Sequence, residues 1–293
     1  MKLLRERKSP VNNIMNNRKG FDTVRRKITL LQILFLCVFV GCGIYLIKFN
    51  YDKTHTEREI EQLQEMVDEG SDKTEQPDNL EITLDDAQED TTNEESYEPN
   101  GMLTRYYELY KQNNDMIGWI KISGTKIDYP VMYNDSNNVY YLHRNFYKEK
   151  SSSGVPYLDY QCNLQNWSDN LIIYAHNMKN GTMFHELLDY QTIGFWENHK
   201  VINFDTLYNR CEYEVFAAFR TAVGADDEFK YYDFINAESK YEFDEFVQKC
   251  KDKSLYDTKI TPEYGETLLT LSTCSYNVND ERFVVVARQI SKR

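Results

Sequence analysis

The sequence predicts a mainly β domain, closed into a barrel or a sandwich and covered by a few peripheral helices, behind a membrane span and an acidic tether. Three observations carry that expectation. Short runs rich in Val, Ile, Tyr and Phe recur at fairly even spacing through the second half of the 293 residues, interrupted by one clear amphipathic helix. Residues 28–47 contain no charged side chain. Charge is also segregated: residues 1–27 carry nine Lys and Arg against Glu6 and Asp22, whereas residues 51–100 carry eighteen Asp and Glu against three Lys and Arg.

The basic segment 1–27 leads into "ITLLQILFLCVFVGCGIYLI", Ile28 to Ile47, which matches the ~20 residues a helix needs to cross a bilayer. Arg25, Arg26 and Lys27 flank it and place the N-terminus in the cytoplasm, so that everything after Lys48 lies outside. A cleaved signal peptide would have a shorter apolar run and a small-x-small site. "FVGC" at Phe39–Cys42 loosely matches a lipoprotein cleavage box, but the apolar run continues to Ile47, which favours an uncleaved anchor. Residues 48–100 read as an extracellular tether, largely disordered, because the segment has too few apolar side chains to offset its ordering entropy. Within it, Ile60, Leu63 and Val67 could line one face of a short helix.

From Gly101 to Arg293 the composition is that of a folded domain. "LTRYYELYKQNND" reads as its opening helix, and "IGWIKISGTKIDYPVMY" as two short strands broken at Ser123–Gly124. "NLIIYAH" is a continuous apolar strand ending at His176, and "YEVFAAFRT", "LLTLSTC" and "FVVVARQI" are further strands. Between them, "NAESKYEFDEFVQKCKDKSLYD" places Phe243, Phe246, Val247 and Cys250 at helical spacing, so Cys250 belongs to a core face.

Outside the span remain Cys162, Cys211, Cys250 and Cys274. Their wide spacing permits two disulfides in any of three pairings but indicates none, and there is no paired Cys/His spacing for zinc. A nucleophilic thiol needs a partner that takes its proton. Of the five histidines, His55 falls in the tether, His185 in a helical stretch, and His143 and His199 in turns without evident partners. His176 differs, because a buried strand delivers it to a loop, as "LLTLST" delivers Cys274. Arg282 opens the returning strand eight residues later. Taken singly, each is as well explained by packing or solvation. Together, three complementary groups at strand ends suggest a held site.

"TLSTC" followed by "RFVVVAR", with "YAHN" upstream, resembles the sortases, membrane-anchored cysteine transpeptidases of Gram-positive bacteria. The resemblance runs from about Met102 to Ile290 and includes "GWIKISGTKIDYPV". The helical segment before the Cys strand and Ser272 in "TLSTC" resemble class B. The resemblance implies a sortase-like β-barrel, with Cys274 as nucleophile, His176 as acid/base and Arg282 as third member. It further implies a substrate with an N-P-x-T-x-like sorting signal, an accepting amine on peptidoglycan or its precursor, and substrate contacts at Asn138, Leu142, Ser272 and Thr273. It implies no cofactor and no nucleic-acid partner, and it leaves the tether's role open.

With ordinary pKa values, only about one per cent of molecules near pH 7.5 would hold thiolate and imidazolium together. Arg282 keeps its proton and is suited to bind a carbonyl or a developing oxyanion. A papain-like protease would place Cys before His and at a helix N-terminus, the reverse of the order here. A non-catalytic surface ectodomain would leave Cys274 inert. The acidic cluster Asp226–Glu228 with Asp233 lacks a calcium-loop pattern, and no required metal is expected.

Overall fold

A computed structural model of the chain describes residues 10–72, 96–163, 165–222, 229–274 and 281–293. It divides into two compact units, one ending at Thr56 and one from Glu57 to Arg293. The first unit is helical and belongs to α1, Pro10–Asp72. Its apolar stretch exposes side chains such as Phe35 and Phe39, and it is long and apolar enough to cross a membrane.

In the second unit, the last turns of α1 are part of the folded domain, where composition alone suggested a spacer. Ile60, Leu63 and Val67 are buried in the main core, and Gln64 Nε2 donates to the Asp128 carbonyl at 2.9 Å. Three apolar side chains at helical spacing suffice once a complementary surface is present, because each buried one contributes about 1.5–3 kcal/mol. The most acidic part of the expected tether, 73–95, lies outside the described residues.

Eight strands form the closed barrel: β1 Met116–Lys121, β2 Asp128–Met132, β3 Tyr157–Leu158, β4 Asn170–His176, β5 Val201–Thr206, β6 Cys211–Ala222, β7 Leu268–Cys274 and β8 Glu281–Lys292. Around the barrel they run β1-β2-β3-β4-β7-β8-β6-β5, and β5 pairs back onto β1. Closure gives each of these strands a hydrogen-bonded neighbour on both sides. At Gly118 a Cβ would collide with the Asp205 carbonyl, so the β1–β5 seam closes only over a glycine. Side chains alternate: Leu269 and Leu271 of β7 join the main core, whereas Leu268 faces a second cluster.

That second cluster lies under α4, Lys240–Lys253. Phe243, Phe246, Val247 and Cys250, the side chains spaced for a helical face, are all buried with Phe219 of β6 and Val284 and Val286 of β8. Ser239 caps the helix by accepting from Glu242 N, and the Glu242 carboxylate reaches back to Glu238 N. Two shorter helices, α2 Thr104–Gln112 and α3 Ile193–Asn198, complete the domain.

Candidate active site

β4 and β7 are parallel neighbours, paired in unbroken register from Asn170↔Leu268 to His176↔Cys274. The two strands therefore end together, with His176 and Cys274 at opposed register positions. Leu171, Ile173 and Ala175 on β4 and Leu269 and Leu271 on β7 are buried and hold both strand ends on a packed core. The Cys274 side chain and 275–280 lie outside the described residues. β8 returns antiparallel beside β7, and Arg282 Nη1 donates to the Thr273 carbonyl at 3.2 Å. A guanidinium thus bonds to the residue preceding Cys274.

His176 is 6% exposed, and its Nε2 lies 2.9 Å from the Leu142 carbonyl. A carbonyl oxygen only accepts, so Nε2 carries the hydrogen and Nδ1 is the basic nitrogen of the neutral ring. Burial pushes the His176 pKa down to about 4; the charges of His143 and Arg282 push the same way, while the Leu142 carbonyl opposes them. At pH 7.5 the imidazolium share then falls to about 3 in 10,000, well below what ordinary values imply. In this environment the His176 ring is neutral at pH 7.5.

Three thiols of the barrel unit are withdrawn from solvent. Cys162, Cys211 and Cys250 are buried and free. Burial raises Cys162 to about 12, Cys211 to about 11 and Cys250 well above the usual range. Of the remaining histidines, His185 pairs through Nδ1 with Asn177 Oδ1 at 2.7 Å, and His199 stacks on Phe195. His143, which offered no partner in the sequence, stands with its ring 5.9 Å from that of His176. The signal missed was topological: the turn Tyr141–His143 folds over the end of β4.

The four expected substrate contacts differ in what their side chains do. Asn138 donates through Nδ2 to Asp159 Oδ2 at 3.1 Å, and its Oδ1 accepts from Tyr160 N at 3.0 Å. Asp159 is buried and also accepts from the Tyr174 hydroxyl, so Asn138 is tied into the wall between β3 and β4. The Ser272 hydroxyl bonds to the Tyr231 hydroxyl at 2.7 Å inside the protein. Thr273 Oγ1 accepts from Phe283 N at 3.1 Å. Leu142 is half-buried and offers its carbonyl to His176.

The family model of the sortase domain matches residues 120–290, which include both paired strand ends and β8 as far as Ile290. The chain belongs to the sortase family. Sortase B of Staphylococcus aureus (strain NCTC 8325 / PS 47) is 29% identical over 269 residues, covering 91% of this chain and 98% of the relative. Sortase B of Listeria monocytogenes (serovar 1/2a, strain EGD-e) is 32% identical over 191 residues, covering 63% of this chain and 74% of the relative. The solved Staphylococcus aureus sortase B–substrate complex superposes with a TM-score of 0.68 at 28% identity, covering 82% of this chain and 98% of that one. This sortase is of class B, a cysteine transpeptidase with the closed eight-stranded barrel of its relatives. Among the described residues of the sortase, no group of three or more His, Cys, Asp and Glu side chains is disposed to hold a metal; the Asp226–Glu228 cluster lies outside them.

Proposed function

We propose that this sortase cleaves a C-terminal sorting signal of secreted proteins and joins them to an amino group of peptidoglycan or its precursor, using Cys274, His176 and Arg282. The carrying observation is the unbroken parallel register that ends β4 at His176 and β7 at Cys274. Cys274 attacks the scissile carbonyl as His176 Nδ1 takes its proton, forming a tetrahedral adduct. The adduct collapses to a thioester as the imidazolium protonates the departing amine. An imidazolium in so desolvated a site is a strong acid, which suits that transfer. An incoming amine then reverses the sequence, with His176 again as base. Arg282, held beside the nucleophile by the Thr273 carbonyl, stabilises the oxyanion in both steps.

The peptide, of N-P-x-T-x type by likeness to the family, lies along a wall built by Asn138, Leu142, Ser272 and Thr273. Leu142 meets it by apolar contact. The other three hold the wall's shape through the hydrogen bonds described above. Segments 1–27 and 28–47 serve as cytoplasmic tail and span, and 101–293 together with the docked turns from Glu57 to Asp72 serves as the catalytic region, with the barrel outside a single-pass anchor. The basic flank of the apolar helix supports that orientation.

The test incubates the full chain in detergent micelles with fluorogenic N-P-x-T-x peptides, with and without an amine acceptor, beside Cys274→Ala. Expected are cleavage by wild type only and an amide product when the amine is present. No turnover of any peptide, or undiminished turnover by Cys274→Ala, overturns the assignment. Equal hydrolysis with no amide product would make the chain a cysteine protease.

A further inference from the structure

His176 is oriented by a backbone atom, so whatever fixes that atom fixes the histidine. The Leu142 carbonyl sits in a hairpin whose returning arm is bonded on both sides of it: Val155 N donates to the Tyr141 carbonyl at 3.1 Å and Ser151 N to the His143 carbonyl at 3.0 Å. The hairpin's far turn is closed by Asn145, whose backbone N donates to the Glu149 carbonyl at 2.9 Å and whose Oδ1 accepts from Glu149 N at 2.8 Å. A backbone N–H only donates, so this contact fixes the amide's orientation and leaves Nδ2 facing away. Nδ2 donates to Glu59 Oε2 at 2.9 Å and, over the longer distance of 3.5 Å, to the carboxylate of the exposed Glu149. Glu59 lies on the barrel-docked part of α1, one residue before the buried Ile60, and both partners are buried, at 8% and 7% exposure. A carboxylate withdrawn from water is costly unless bonded, so this contact has a defined geometry rather than a surface choice among waters.

We propose that Glu59 and Asn145 are positioning residues for His176: their hydrogen bond seats the 141–155 hairpin against α1 and thereby sets where the Leu142 carbonyl holds the imidazole. The proposal rests on the assignment of His176 as acid/base. It gives the last turns of α1 a positioning role without any contact to substrate.

Asn145→Asp is the sharp perturbation, because it keeps the oxygen that closes the turn but replaces the donor facing Glu59 with a like charge. Glu59→Gln combined with Asn145→Asp exchanges donor and acceptor and rebuilds the bond. In the full chain in detergent, Asn145→Asp is expected to lower kcat on the order of tenfold with KM within about twofold. The double variant is expected to recover. Should Asn145→Asp not fold, Glu59→Ala takes its place, with the same loss in kcat expected. In 15N-histidine-labelled chain, the His176 Nε2–H resonance, assigned by its absence in His176→Ala, should shift in Asn145→Asp and return in the double variant. An unchanged kcat and resonance in Asn145→Asp, or no recovery in the double variant, overturns the proposal. If His176→Ala keeps full activity, the acid/base assignment fails instead, and the resonance alone then decides positioning.

Discussion

Replacing Gly154 by Ala should damage the active site from the far side of the His176 hydrogen bond. Gly154 has φ +58, and a Cβ there would lie 2.5 Å from the Leu142 carbonyl oxygen and 2.6 Å from that of Tyr141. The first contact is about 0.9 Å short of the 3.4 Å at which such approaches become ordinary. Both obstacles are backbone, so neither can swing aside. The left-handed conformation costs about 1–2 kcal/mol for a side-chain-bearing residue, and crowding of a packed site adds about 1–3 kcal/mol. A total of roughly 2–5 kcal/mol predicts a fall in Tm of about 4–20 °C, seen by circular dichroism. Relief requires the Leu142 carbonyl to move by most of an ångström, which breaks its 2.9 Å contact with His176 Nε2. Displacement on that scale predicts a loss of kcat approaching a hundredfold, with a smaller change in KM, in the peptide-plus-amine assay. Wild-type kcat together with wild-type Tm would refute the chain of reasoning from Gly154 through Leu142 to His176.

Three further outcomes are expected. Because the folded-state pKa of His176 is depressed to about 4, the unfolded chain binds the extra proton between about pH 4 and 6.5, so stability should rise with pH across that window and be lost as pH falls through it. After allowance for solvent screening the effect is about 2 kcal/mol, and guanidinium titrations at pH 4.5 and 7.5 should show it in wild type and not in His176→Asn. Arg282→Ala removes the guanidinium bonded to the Thr273 carbonyl and should lower kcat by about 100- to 1,000-fold. Arg282→Lys should restore little of that loss, because an ammonium lacks the planar fork; near-complete recovery would argue for charge alone. Tyr231→Phe leaves the buried Ser272 hydroxyl without the partner it has at 2.7 Å and should cost about 1–3 kcal/mol in chemical denaturation, whereas Tyr231→Phe with Ser272→Ala should cost less.

Most strands were legible as sequence. "NLIIYAH" and "LLTLSTC" are buried on both faces, so the runs of Leu and Ile in them identify strands without knowledge of their neighbours. The helix over Phe243–Cys250 was equally plain from its period. Short β3 carried no such signal, since two residues cannot display a period. Likewise, the docking of Glu57–Asp72 is invisible in composition: Ile60, Leu63 and Val67 are a weak stripe until the barrel supplies the surface that buries them.

At the proposed site, the sequence by itself offered three side chains of complementary chemistry, a thiol, an imidazole and a guanidinium, each adjoining a strand that a core holds rigid. Only the tertiary structure decided how their strands lie beside one another. The parallel register that sets His176 opposite Cys274 joins residues almost a hundred positions apart, and nothing local to either strand specifies it. The same holds for the depressed basicity of His176, which arises from burial, from the nearby charges of His143 and Arg282 and from the carbonyl of Leu142. Proton affinity depends on the solvent excluded and the charges gathered around a group, and both are properties of packing in three dimensions.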